Sequence, residues 1–245
     1  MRLKLISCEV LYREMCDSVA RSPHQVDVEF LPKGLHDLGG ARMREKLQEA
    51  VDRTDPAVHE AILMGYALCG NGLAGLVART IPIVLTRAHD CIALLMGSRQ
   101  KYQEYFDANP GVFFRSTGWL ERGKGLIPIS RKQTGIDTKL EELIARYGEE
   151  NGRYLFEELN SYQQHYRQMT FIKMGLEPND SFEASARQEA DKYGWTFDTI
   201  TGDMTLFRRL INGDWGSEDF LTVPPGHRVV VCYDDGIIGV ERGAS

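Results

Sequence analysis

Through its first half the chain switches repeatedly between two hydrophobic periods, and that switching leaves few folds open to it. Residues 3–6 form a short apolar run ending at Ser7-Cys8-Glu9, and a helical pattern follows over residues 10–21. The stretch Gln25-Val26-Asp27-Val28-Glu29-Phe30-Leu31 alternates polar and apolar side chains at period two, as a half-buried strand does. After Gly39-Gly40, residues 41–53 place Met43, Leu47 and Val51 on one helical face. Two buried-type strands come next, residues 60–65 and 81–85, and one helix is expected over residues 91–106. Alternation of this kind predicts parallel strand pairing with helices on both faces of the sheet.

The middle reads differently. Residues 131–168 lack strand runs and carry the charged pairs Glu141-Glu142, Glu149-Glu150 and Glu157-Glu158, with Leu140, Leu143 and Ile144 at helical spacing. Two helices that bridge the lobes or pack against the first are expected there. From Thr170 the alternation resumes, with strands over residues 171–175, 195–200, 220–223 and 228–233 and helices over 182–193 and 204–211. The predicted architecture is α/β: two Rossmann-like lobes with mainly parallel sheets, joined by a helical segment. The division expected is an N-terminal lobe over residues 1–125, a helical linker over 126–168 and a C-terminal lobe over 169–245.

Composition narrows the function classes. The 245 residues are 42% hydrophobic and 26% charged, the balance of an ordinary folded protein. A formal charge of −6 leaves no basic footprint for nucleic acid. Runs such as Ala61-Ile62-Leu63-Met64 are too short to span a bilayer, and the N-terminus lacks the long apolar core of a signal peptide. A cytoplasmic protein without nucleic-acid or membrane partners is therefore expected. Its five cysteines are Cys8, Cys16, Cys69, Cys91 and Cys232, an odd and widely spread number that argues against a disulfide framework. Cys16 and Cys232 read as small packing residues.

The other three occupy special places on this map. Cys8 follows the first predicted strand, Cys69 the third and Cys91 the fourth. In a parallel sheet the C-terminal strand ends share one edge, where the ligand crevice forms. Three thiols far apart in sequence would then meet in space, a donor set suited to zinc or to a [4Fe–4S] cluster with one open site. CxxC spacing is absent, and the alternative is that Cys8 and Cys91 are small fillers beside a strand end.

Gly70-Asn71-Gly72-Leu73-Ala74-Gly75 matches G-x-G-x-x-G after a strand. A helix there can run only over residues 73–79 before Pro82, and no acidic ribose ligand ends the next strand, so a nicotinamide cofactor is not expected. Gly70 and Gly72 are instead candidates for close backbone approach to an anionic ligand or cluster. His89 is a candidate ligand or proton-transfer group, whereas Asp90 suits the N-cap of the following helix. In Pro224-Pro225-Gly226-His227 a stiff loop presents His227, which would close the site if the lobes face each other. Trp119 lines the cleft or packs at the interface, and Lys173, inside an apolar strand and followed by Glu177, is a possible cleft charge. No G-x-S-x-G elbow, P-loop, H-E-x-x-H or EF-hand loop occurs.

The motifs Gly65-Tyr66-Ala67-Leu68-Cys69-Gly70-Asn71-Gly72, Arg87-Ala88-His89-Asp90-Cys91-Ile92-Ala93-Leu94-Leu95-Met96-Gly97-Ser98, Thr117-Gly118-Trp119 and Pro224-Pro225-Gly226-His227 resemble an uncharacterised domain-of-unknown-function family, DUF1638. The resemblance covers nearly the whole chain, from Cys8 to His227, and singles out Cys69, His89 and Cys91. Genes of that family often lie near corrinoid-dependent methyltransferases, which implies a role in methyl or one-carbon metabolism. The expected protein is a metal-binding one, with Cys8, Cys69 and Cys91 as ligands, His89 or His227 completing the site or moving protons, and a small-molecule substrate. Two alternatives stand beside it. One is a non-catalytic accessory protein that carries a metal, cluster or corrinoid to a methyltransferase or corrinoid protein. The other is a metal-free enzyme with Cys69 as nucleophile activated by His89.

Overall fold

The computed structural model describes residues 1–122, 140–160, 166–216 and 218–243. Four strands open the chain: β1 (Arg2–Cys8), β2 (Gln25–Leu31), β3 (Ala61–Gly65) and β4 (Ile83–Thr86). They lie in the spatial order β2-β1-β3-β4, every pair parallel. Every residue of β3 and β4 is buried, as continuous apolar runs demand, whereas β2 is only partly covered and forms the edge. The crossovers carry α1 (Tyr12–Ala20) and α2 (Gly40–Asp52), and α2 buries Met43, Leu47, Ala50 and Val51 against the sheet.

A second parallel sheet has the order β5-β6-β7, from β5 (Val112–Ser116), β6 (Gln168–Lys173) and β7 (Thr196–Thr201). Helix α8 (Ser181–Tyr193) links β6 to β7, and its Ala186 and Ala190 are fully buried with Met169 and Phe171. Small residues let the helix lie close to the sheet. Both lobes are thus α/β and Rossmann-like, with mainly parallel sheets.

The chain does not keep to one lobe at a time. Helix α9 (Thr205–Asn212) buries Leu206, Phe207, Leu210 and Ile211 in the core of the first sheet. Strand β8 (Phe220–Val223) then adds to that sheet antiparallel to β4, and β9 (His227–Val231) and β10 (Ile238–Arg242) close the described chain as an antiparallel hairpin. Sheet membership therefore cuts across the division expected from sequence: β5 comes before the linker yet belongs to the second sheet, and β8 comes after it yet belongs to the first.

The helix expected over residues 91–106 is two helices, α3 (Cys91–Leu95) and α4 (Arg99–Ala108). Gly97 breaks it at a φ of 69°, with its missing side chain facing Asp203, and Ser98 restarts it by accepting from Lys101 N–H at 3.3 Å. Two linker helices, α6 (Leu140–Tyr147) and α7 (Glu149–Asn160), form as expected. Of the linker expected over residues 126–168, residues 126–139 and 161–165 lie outside the described residues. No helix among the described residues is long and apolar enough to cross a membrane.

The lobes meet where α5 (Thr117–Glu121) packs on the turn after β1. A Cβ on Gly118 would lie 1.7 Å from the Val10 carbonyl oxygen, so only glycine allows this approach. Beside it Arg13 makes two bonds to the Glu121 carboxylate, at 2.9 and 2.8 Å. Glu14, on the next position of α1, is 1% exposed and its Oε2 meets no hydrogen-bond partner among the described residues. Burial, reinforced by the nearby carboxylates Glu177 and Glu121, pushes its carboxyl from 4.5 up to about 7. The folded state thus holds a proton that the unfolded chain releases, and stability falls as pH rises from about 4.5 to about 7. Glu14→Gln is expected to remove that fall, matching wild type near pH 4.5 and exceeding it by about 3 kcal/mol at pH 8. Denaturant unfolding across this range checks it; parallel profiles for the two proteins would contradict it.

Candidate functional site

Parallel pairing decides where the chemistry gathers. The order β2-β1-β3-β4 reverses direction between β1 and β3, and a crevice opens outside their carboxyl ends. Cys8 is the last residue of β1, Cys69 lies in the loop after β3, and Cys91 opens α3 after β4. The last two loops are tied together, with Leu68 N–H donating to the Ala88 carbonyl at 2.9 Å and Cys69 N–H to the His89 carbonyl at 2.8 Å. Cys69, Gly70 and Asn71 follow one another in the left-handed region, at φ of 46°, 63° and 67°. For Cys69 that conformation costs about 1–2 kcal/mol, strain of the kind that collects at functional sites, whereas Asn71 adopts it readily.

The structure brings the three predicted thiols into one electrostatic neighbourhood. Burial pushes Cys8 up to about 12, and burial followed by the charge of Cys8 pushes Cys69 up to about 12. Burial raises Cys91 well above the usual thiol range, with Cys69, Asp90 and Cys8 adding to the rise. Opposing this, N–H groups face the sulfurs: that of Val10 at Cys8, and those of Ala67 and Cys91 at Cys69. The indole of Trp119 sits beside Cys91 and the hydroxyl of Tyr66 beside Cys8, each lowering its neighbour's thiol pKa. Yet Trp119 Nε1 and Tyr66 Oη are buried and reach no hydrogen-bond partner among the described residues. No group of three or more His, Cys, Asp and Glu side chains among the described residues is arranged to hold a metal ion.

A cavity of about 710 Å³ opens beside the thiols, lined among others by His36, Cys69, Asp90, Cys91, Tyr102 and Trp119. Asp90 caps α3 as expected, accepting from Ile92 N–H at 3.0 Å and Ala93 N–H at 3.4 Å, and its other oxygen accepts from Tyr102 O–H at 2.8 Å. Trp119, which sequence left between cleft and packing, lines the cavity. Tyr66 and Tyr102 were not anticipated; nothing in the spacing of single aromatic residues marks them.

Other predicted residues lie elsewhere. His89 faces a separate polar cavity of about 620 Å³, together with Arg99, Asp234 and Asp235. His227 is not at the site. Because β8 runs antiparallel to β4, Val223 pairs with Ile83, and the following loop emerges at the opposite edge of the sheet from the thiols. There His227 Nδ1 lies 3.0 Å from the Pro225 carbonyl oxygen. The helix expected after Gly72 does not form: residues 75–78 bond instead to β9, with Gly75 N–H donating to the Val229 carbonyl at 2.8 Å and Ala78 N–H to that of His227 at 2.9 Å. Of the two glycines, Gly70 lines the thiol cavity, whereas a Cβ on Gly72 would lie 2.4 Å from Met43 Sδ, so Gly72 is a packing position on α2. Lys173 is no cleft charge, since it pairs with Asp180 at 3.3 Å and Glu183 at 3.1 Å. Cys16 and Cys232 are half-buried, and neither lines the thiol cavity.

Burial raises the Cys69 thiol, and the His89 side chain expected to activate it lines the other cavity, whereas the imidazole of His36 lines the thiol cavity. In metal-free native protein at pH 8, iodoacetamide is expected to label Cys8, Cys69 and Cys91 at least about tenfold more slowly than in the unfolded chain. Peptide mass mapping reads this residue by residue, and fast labelling of Cys69 would restore the nucleophile.

The family described as "Protein of unknown function (DUF1638)" matches residues 30–211. No curated protein and no solved structure matches the chain.

Proposed function

The chain belongs to the DUF1638 family, and from that premise we propose that Cys8, Cys69 and Cys91 hold a thiophilic metal, zinc or alternatively a [4Fe–4S] cluster, beside a small-molecule cavity. One observation carries this reading: thiols from three separate strand ends, Cys8 and Cys91 buried and Cys69 half-buried, share one neighbourhood, where N–H and O–H groups oppose the desolvation that keeps the sulfurs neutral. Donors aimed at sulfur favour the thiolate, and a soft cation is what stabilises thiolates in a buried place. Neutral thiols do not draw together around a point, which accords with the absence of a closed ligand set among the described residues.

The chain's own residues would divide the work. Cys8, Cys69 and Cys91 bind the metal; Trp119 and Tyr66 offer their unpartnered donors to the charged sulfurs; Asp90 fixes the start of α3, and with it Cys91. A zinc or an open cluster position would supply Lewis acidity toward a thiol or other sulfur group of a bound substrate. Methyl or sulfur transfer to a small molecule in a reducing cytoplasm is the reaction class this suits. His227 lies at the opposite edge of the sheet, and His89 adjoins the site through its carbonyl, which accepts from Cys69 N–H, while its side chain lines the other cavity.

Metal and acid-labile sulfide content of anaerobically purified protein tests the reading. Wild type is expected to hold about one zinc or one cluster per chain, and Cys8→Ser, Cys69→Ser and Cys91→Ser each to lose it while Cys232→Ser keeps it. Metal content indifferent to the three substitutions would overturn the proposal. Because all three thiols start protonated, zinc binding at pH 7 is expected to release close to three protons, with apparent affinity falling as pH falls. Calorimetry in buffers of different ionisation enthalpy counts them; release of none would contradict thiol ligation.

A further inference from the structure

The cavity beside the thiols also specifies the kind of molecule it takes. We infer that it binds an uncharged, flat aromatic or heteroaromatic compound, its ring held among Tyr102, Phe106, Phe114 and Trp119 and one edge turned toward Cys69 and Cys91. The inference deepens the metal-site reading by naming the ligand beside it, although the ring recognition itself needs no metal.

Size and surface come first. A cavity of about 710 Å³ is in the range of small-molecule sites, and its walls are dominated by rings. Tyr102 lies 6.0 Å, centroid to centroid, from both Phe106 and Phe114 in tilted pairs, the geometry in which rings pack favourably against one another and against a further π-face. These rings come from α4 and β5, one wall of a cleft whose other wall is the strand-end edge that carries the thiols.

Charge then selects among the molecules that fit. Asp90 is the carboxylate on the wall, and its oxygens already accept from two backbone N–H groups and the Tyr102 hydroxyl. Arg115 is the guanidinium there, and it is bonded twice to Glu189, at 2.9 and 2.6 Å. An anion would find that guanidinium engaged and the wall's imidazole, His36, packed on the Trp119 ring at 6.2 Å. A cation would find two of the lining rings taken, with Lys33 Nζ 4.8 Å over Trp119 and Arg115 4.4 Å over Phe113, and the wall's one carboxylate already bonded. A neutral π-system meets neither difficulty. Its polar handle would be an acceptor or sulfur on the edge turned toward Cys69 and Cys91.

Titration of the full chain with isosteric probes tests this, in both metal-free and zinc-loaded protein. Benzyl alcohol, benzoate, benzylammonium and benzyl mercaptan would be followed by the NMR shift of the Trp119 indole N–H, assigned with Trp119→Phe. Benzyl alcohol is expected to bind at least about tenfold more tightly than either charged probe. Phe106→Ala, at a side chain 44% exposed and so safe for folding, is expected to weaken it about fivefold. A preference for benzyl mercaptan over the alcohol that appears only with zinc would support the placement of the handle at the thiols. Tightest binding by benzylammonium or benzoate would overturn the ligand class, as would failure of the neutral probes to move Trp119. Neutral binding in a protein that takes up no zinc would sustain this inference while the metal reading fails.

Discussion

Parallel backbone pairing between β1 and β3 determines where every other chemical group of the first lobe ends up. It aligns Leu3 with Ala61 and Ser7 with Gly65, so both strands finish at the same edge and their loops leave side by side. The β3–β4 pair extends that edge, and the bonds from Leu68 and Cys69 to the carbonyls of Ala88 and His89 carry the alignment past the strands. A register slip of one residue would turn Cys8 to the opposite face and dissolve the cluster of thiols. The second lobe depends on the same edge, because Gly118 seats α5 against the Val10 carbonyl and so brings Trp119 over Cys91.

Burial and polarity pull the thiols in opposite directions. Desolvation is the largest influence on each of Cys8, Cys69 and Cys91 and favours the neutral form. The N–H and O–H groups around them favour the anion. Tyr66 beside Cys8 and Trp119 beside Cys91 add to that second influence, next to a Cys69 held at positive φ. The cation proposed for the sulfurs would reconcile the two, since it would remove the protons and give the donors charged acceptors.

Much of this frame was legible in the sequence. Period-two alternation delimits β2, and buried runs mark β1, β3 and β4, because burial on both faces leaves a simple apolar signature. From those strand ends the convergence of Cys8, Cys69 and Cys91 followed. The direction of β8 did not: four residues, Phe-Leu-Thr-Val, read the same in either sense, and that ambiguity is why His227 was expected opposite the thiols. Strand β5 escaped notice because Arg115 interrupts a run of only five residues, and its pairing with β6 is a contact across the linker. Strand β10 is equally short and contains Gly239. The cavity's rings come from separate elements, α4, β5 and α5, so no periodicity announces them, and the side chain of His89 turns to the other cavity for a reason of loop geometry that residue type does not encode.

Zinc K-edge X-ray absorption on protein loaded with one equivalent of metal asks most directly whether the three strand-end thiols act as a single centre. Three sulfur scatterers at about 2.3 Å, with the fourth position filled by a lighter atom, is the result this account predicts. A shell of nitrogen and oxygen alone, or a single sulfur, would show that the thiols share a neighbourhood without sharing a metal.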